Sequence, residues 1–148
     1  MSKLFQAFLS GIFFTFFIDF FLFLGMKTNY IDKYNIDIYY NIFFVDNQNI
    51  FIFLLFSILF GYLVLYQSNK LALLLIGPLF IASLTTLISP IGNTLGKLLL
   101  MKENVSFQTQ KFSYHGDIIY SGRKNLSFYD YKIGKILTIK KDKIKGEY

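Results

Sequence analysis

The sequence has no cysteine, no tryptophan, a single histidine, a single arginine and only two prolines. Without cysteine there is no disulfide framework, no thiolate zinc site, no iron–sulfur cluster and no thiol nucleophile. One histidine excludes a multi-histidine metal centre. Charge is scarce too: 16% of the 148 residues are Asp, Glu, Lys or Arg, against about 25% in soluble domains. No phosphate-binding loop, dinucleotide fingerprint, zinc-protease, nucleophile-elbow or EF-hand spacing occurs. With no nucleophile–base pair and no paired carboxylates at one site, an enzyme is not expected, and no cofactor or metal is either.

What is present is apolar. Hydrophobic residues make up 54% of the chain and aromatics 20%, with 19 Phe and 11 Tyr, and the mean hydropathy is +0.46. That composition excludes a disordered chain. Heavy use of Phe, Ile, Lys, Asn and Tyr fits an AT-rich bacterial genome, and the expected location is the bacterial inner membrane, crossed more than once.

Three apolar runs precede Pro90. Leu4 to Gly25 would reach about 33 Å as a helix, Ile50 to Tyr66 about 25 Å and Leu71 to Ser89 about 28 Å, close to the ~30 Å bilayer core. A chain this size has too little polar mass to bury three such helices in water, so the lipid bilayer is their expected surrounding. The first run is too long for a signal-peptide core, contains Asp19 and has no small-x-small cleavage site after it, so it reads as a retained span. Gln67 to Lys70 makes the second and third runs antiparallel neighbours. Ser57 and Gly61 on one, and Ala82 and Thr86 on the other, have the spacing that lets helices approach closely. Residues 26–49 form a Tyr- and Asn-rich loop. Its Ile31, Tyr34, Ile38, Ile42 and Val45 recur at helical spacing, so it reads either as an amphipathic segment at the headgroups or as a loop packed on the bundle end. Asp46, Asn47 or Asn49 is expected to cap the second span.

Eleven of the 15 Lys and Arg residues follow Pro90, so nearly all of the net charge of +6 belongs to the tail. Residues 91–102 read as an interfacial helix or linker. From Val105 the period becomes two, and residues 103–148 read as a basic β-rich domain. Strands are expected at Val105–Gln110, Phe112–His115, Asp117–Tyr120, Leu126–Tyr131 and Ile136–Ile139. A hairpin turning at Lys132-Ile133-Gly134 should set Leu126 and Phe128 against Leu137 and Ile139. The fold class is therefore an α-helical membrane protein with three transmembrane helices and a small C-terminal all-β domain of SH3 or Sm type. A cytoplasmic tail puts Lys27, Lys33, Lys97 and Lys102 inside and Lys3 and Lys70 outside, which the positive-inside rule favours. The order of elements, with the strand–turn–strand pattern at 126–143, resembles the core of small-conductance mechanosensitive channels, where a pore helix leads into an Sm-like layer. The chain departs from that family in Leu71–Ser89, which lacks its Gly/Ala-rich packing face, and in having no larger α/β chamber after it. The resemblance stops at the order of elements.

Asp19 is the most informative residue. An ionised carboxylate this deep in a span costs about 2.5–3.5 kcal/mol on insertion scales, and no Lys or Arg lies within a span to pair with it. Matching depths along antiparallel helices brings Ser57, Ser83, Thr85 and Thr86 to its level, with Thr15 one turn away. Asp19 is expected to be protonated and hydrogen-bonded to this hydroxyl layer, which either fixes helix register, lines a proton or cation path, or meets a partner's span. Arg123, with Lys124, is a candidate anion contact or a solvated loop cation. His115 reads as a surface residue. The lysine-rich tail fits anionic lipid headgroups, and nucleic acid is not expected. Three functions follow from these features: first, a non-catalytic accessory or assembly subunit bound to another membrane protein; second, a channel or transporter subunit built as a homo-oligomer around the Asp19 layer; third and more weakly, a membrane-tethered nucleic-acid or lipid-binding module.

Overall fold

The computed structural model describes residues 2–109 and 112–145; Gln110, where the first expected strand ends, and the last three residues of the basic segment lie outside them. Helix α1 (Lys3–Met26) begins at Ser2, whose hydroxyl accepts from the Phe5 N–H at 3.3 Å. It does not end at Gly25. A π turn over Lys27–Ile31 and a 3-10 turn over Asp32–Tyr34 carry it on, and Asn35, at φ 53°, breaks it. The resulting 32-residue helix Lys3–Tyr34 is, among the described residues, the one helix long and apolar enough to cross a membrane alone.

The expected loop 26–49 is therefore mostly helical, but not one amphipathic helix. After an extended stretch comes α2 (Tyr40–Asn47), which meets α3 (Ile50–Tyr66) at 85°. Of the expected capping residues it is Asn49 that caps α3, its side chain accepting from Phe51 and Ile52 at 3.0 and 3.2 Å, worth about 1 kcal/mol. Helix α4 (Asn69–Thr85) is started by the Ser68 hydroxyl and contains Pro78. The third apolar run does not stay straight to Ser89. It turns by 97° into α5 (Ser89–Leu100), with Pro90 in the first turn, where a missing N–H does no harm. By length and composition, α3 and α4 count as spans only together with α2 and α5, giving up to three.

Helix α1 packs most extensively on α3, then on α4, while α3 and α4 touch each other less. Small residues decide this. A Cβ on Gly11 would stand 1.7 Å from the Ser57 carbonyl oxygen, and one on Gly61 would stand 2.2 Å from that of Ala7. The Ser57–Gly61 pair thus serves the contact with α1, not with α4. At the far end Lys3 Nζ lies 4.7 Å from the centre of the Tyr66 ring.

The C-terminal part is an antiparallel sheet of four strands, β1 (Lys102–Thr109), β2 (Ser113–Ser121), β3 (Asn125–Asp130) and β4 (Lys135–Lys140), to which the two-residue β5 (Ile144–Lys145) is added. Their order is β4-β3-β2-β1-β5, so the last strand returns to pair with the first after a 3-10 turn at Lys141–Lys143. The expected second and third strands are one. Gly116 does not separate them; a Cβ there would stand 1.9 Å from the Tyr129 carbonyl oxygen, so the missing side chain lets β3 pass close to β2. The hairpin forms at Lys132–Gly134 as read, with the Asp130 side chain accepting from Lys132 at 2.7 Å and Gly134 at φ 65°. Leu126 pairs with Ile139 and Phe128 with Leu137. Leu126 and Phe128, with Phe107 and Ile118, build the sheet's own cluster, and Ile139 packs against it.

A bulge in β2 between Ile118 and Tyr120 gives the sheet a second apolar face. Ile118 belongs to the sheet's cluster, whereas both Ile119 and Tyr120 turn toward Phe23, Met26, Tyr30, Ile31 and Phe43 of the helices. That second cluster sits where α1, α2 and the sheet meet.

Candidate functional site

Asp19 lies in α1 about two turns before Met26 and is half-buried. Its Oδ2 accepts a hydrogen bond from Gln48 Nε2 at 2.9 Å. Gln48 is the first residue of the two-residue bend between α2 and α3, its backbone N–H still closing α2 on the Phe44 carbonyl at 2.9 Å. The bend therefore turns an amide toward α1. Beside it the Tyr40 hydroxyl donates to the Phe20 carbonyl at 2.9 Å. Gln48 Oε1 is buried with no hydrogen-bond partner among the described residues.

This differs from the expected hydroxyl layer. The Ser57 hydroxyl donates to Phe53 O at 2.8 Å, Ser83 to Phe80 O at 2.7 Å and Thr85 to Ala82 O at 2.7 Å. Thr86 donates at 2.6 Å to Ser83 O and lies 3.1 Å from Phe21 O on α1. Thr15 is buried and its hydroxyl has no partner among the described residues. The reason is local: a helical Ser or Thr can reach the carbonyl three or four residues back, as Ser57, Ser83, Thr85 and Thr86 do, while a carboxylate must find a donor elsewhere. The layer is also divided, with Ser57 on the α1–α3 seam and Thr86 against α1 at the end of α4. Gln48 stands in a bend outside every apolar run, where matching depths along the spans does not reach. The signal available was its place directly before the Asn49 cap, on the side where the first span ends.

A second polar knot closes the α4–α5 turn. Asn29 Nδ2 donates to the carbonyls of Thr86 and Leu87 at 2.9 and 3.0 Å, satisfying acceptors that the end of α4 leaves open. Gly25 and Gly92 leave the room this needs: a Cβ on either would stand 2.1–2.2 Å from an atom of Thr86.

Two fastenings join the helices to the sheet. The Tyr30 hydroxyl, without exposed surface, donates to the Ile119 carbonyl at 2.9 Å, and the ring packs on Gly96 of α5. Arg123, in the β2–β3 turn, forms an ion pair with Asp46 of α2, whose side chain is only 6% exposed. Arg123 thus meets an anion of its own chain. The Tyr120 hydroxyl lies 3.4 Å from Asp46 Oδ2, and burial, then the Asp46 charge, pushes its pKa up to about 12. Lys124 is exposed beside this pair. His115 is an exposed strand residue whose Nδ1 lies 2.8 Å from the Ser106 hydroxyl. Among the described residues no three His, Cys, Asp or Glu side chains converge as metal ligands. Chemically the arrangement can hold elements together and present a charged corner. Compared with protein-family models, with curated proteins and with solved structures, the chain matches none.

Proposed function

We propose that the chain is a non-catalytic integral membrane protein, an accessory or assembly subunit that holds a small β module at the face of a bilayer. In this reading α1, α3 and α4 cross the membrane, α2 and α5 lie in the interface, and the sheet is an SH3/Sm-like module. Its strand order and the 3-10 turn before β5 support that last assignment. The outward faces of the three helices are apolar: Phe51 is 81% exposed and Leu73 74%, which water would penalise and lipid does not. Lys27, Lys33, Lys97 and Lys102 stand at the sheet's end of the bundle and Lys3 and Lys70 at the other, favouring a cytoplasmic sheet.

The observation that carries the subunit reading is the double fastening of the sheet, Tyr30 to Ile119 and Arg123 to Asp46. It makes the module a fixed fitting on a lipid-facing bundle, suited to contact with another membrane protein. The rival reading, an oligomeric channel or transporter subunit, has the unpartnered Thr15 hydroxyl and half-buried Asp19 in its favour. Against it, the hydroxyls of Ser57, Ser83, Thr85 and Thr86 are spent on backbone carbonyls.

Native mass in mild detergent tests the choice. A stoichiometric complex with a different membrane protein is the expected result. A homo-oligomer that conducts ions in liposomes, with flux lost in Asp19→Asn, replaces the subunit reading with the channel.

A further inference from the structure

Between the segment joining α1 to α2 and the outer side of the β3–β4 hairpin lies a cleft of about 930 Å³, near the upper end of the roughly 300–1,000 Å³ of small-molecule sites. Its apolar wall is Ile36, Ile38 and Ile42, faced by Ile136 of β4; its rim carries Arg123, Lys124 and Lys135. Two carboxylates also line it, but Asp46 is already paired with Arg123, leaving Asp37 against Lys124 and Lys135, which form no ion pair among the described residues.

The β3–β4 register adds to this rim. Asn125 pairs with Lys140, and the Lys141 N–H donates to the Lys124 carbonyl at 2.9 Å, so two basic pairs far apart in sequence become neighbours. A second depression, of about 450 Å³ and adjoining the first at Arg123 and Lys124, is lined by Lys124, Lys140 and Lys141 with one acid, Asp142. Like charges brought together across strands are destabilising, and a bound anion offsets that.

We propose that this corner binds one anionic phospholipid, its phosphate on Lys124, Lys140 and Lys141 and an acyl chain against the isoleucines of the cleft. An apolar wall beside a cationic rim selects an amphiphile over a free phosphate or a sugar. The location agrees: the cleft borders α2, whose Tyr39, Ile42 and Val45 neighbourhood is exposed and apolar at the headgroup level. The inference rests on the membrane reading of the bundle.

The test uses the full-length chain in detergent, titrated with phosphatidylglycerol, with phosphatidylcholine of the same chains, or with soluble glycerol phosphate, and read by native mass spectrometry. Retention of phosphatidylglycerol at least about tenfold over phosphatidylcholine is expected, because each lysine near a surface contributes to anionic-lipid affinity. The preference disappears in K124Q/K140Q/K141Q and survives in K124R/K140R/K141R, which separates lost charge from lost fold. Ile136→Asn, at an exposed position, weakens phosphatidylglycerol retention. Equal retention of the two lipids, an unaffected glutamine variant, or displacement by glycerol phosphate at equal concentration overturns the proposal. Sedimentation without detergent keeps the two claims apart. A chain that stays in the supernatant overturns the membrane reading, while a sedimenting chain indifferent to headgroup charge overturns the lipid site alone.

Discussion

Gly11 and Ser57 meet backbone to backbone: a single carbon added to Gly11 would stand 1.7 Å from the Ser57 carbonyl oxygen. Helix α1 can lie this close to α3 only because its contact stripe is Ala7, Gly11 and Thr15, and because Ser57 and Gly61 answer it. Gly11→Leu should therefore separate the helices at a cost of about 1–3 kcal/mol or more, seen as a lower thermal midpoint in detergent. Gly77→Ala is the contrast. Beyond its chain neighbours its added carbon meets nothing closer than Leu73 Cδ1 at 3.8 Å, so only the following Pro78 opposes it, and the loss should be well below that of Gly11→Leu.

Tyr30→Phe removes the buried hydrogen bond to the Ile119 carbonyl. The expected loss is about 1–3 kcal/mol. Limited proteolysis between α5 and β1 should quicken in the same variant, since the sheet then hangs on fewer contacts.

Asp19→Asn keeps an acceptor for Gln48 Nε2, so thermal stability should move by no more than about 0.5 kcal/mol. Asp19→Leu strands that amide and should cost about 1–3 kcal/mol. Equal losses in both variants would mean that the negative charge, rather than the hydrogen bond, holds the bend.

Tyr120 gives the fold an alkaline limit. Its pKa is raised from about 10 to about 12, first by burial and then by Asp46. The neutral phenol is thus favoured in the folded chain, and its contribution to stability is complete below pH 10. Above that the unfolded chain ionises first, and the contribution is lost as pH rises toward 12. Melting curves across that window should fall steeply, and Tyr120→Phe should flatten the fall.

Much of the scaffold could be read from the residues alone. Uncharged Ile50–Tyr66 became α3 with those limits, and alternation at 126–139 set the β3–β4 pairs, because both signals are local periodicities. What escaped was non-local or irregular. The Arg123–Asp46 pair and the return of β5 to β1 join distant segments, and no period announces them. Gly25 and Gly116 look like breakers but serve close approach within continuing elements. Asp19 was found from its rarity in a span; its partner, in a bend outside any periodic segment, was not.

The two fastenings of the sheet lie on different helices, one through Tyr30 beyond the end of α1 and one through Asp46 on α2. A body pinned at two separated places has no swivel. If the proposed partner loads the strands, the force passes to the long first helix through Tyr30 and to α2 through Asp46, with no slack taken up in between.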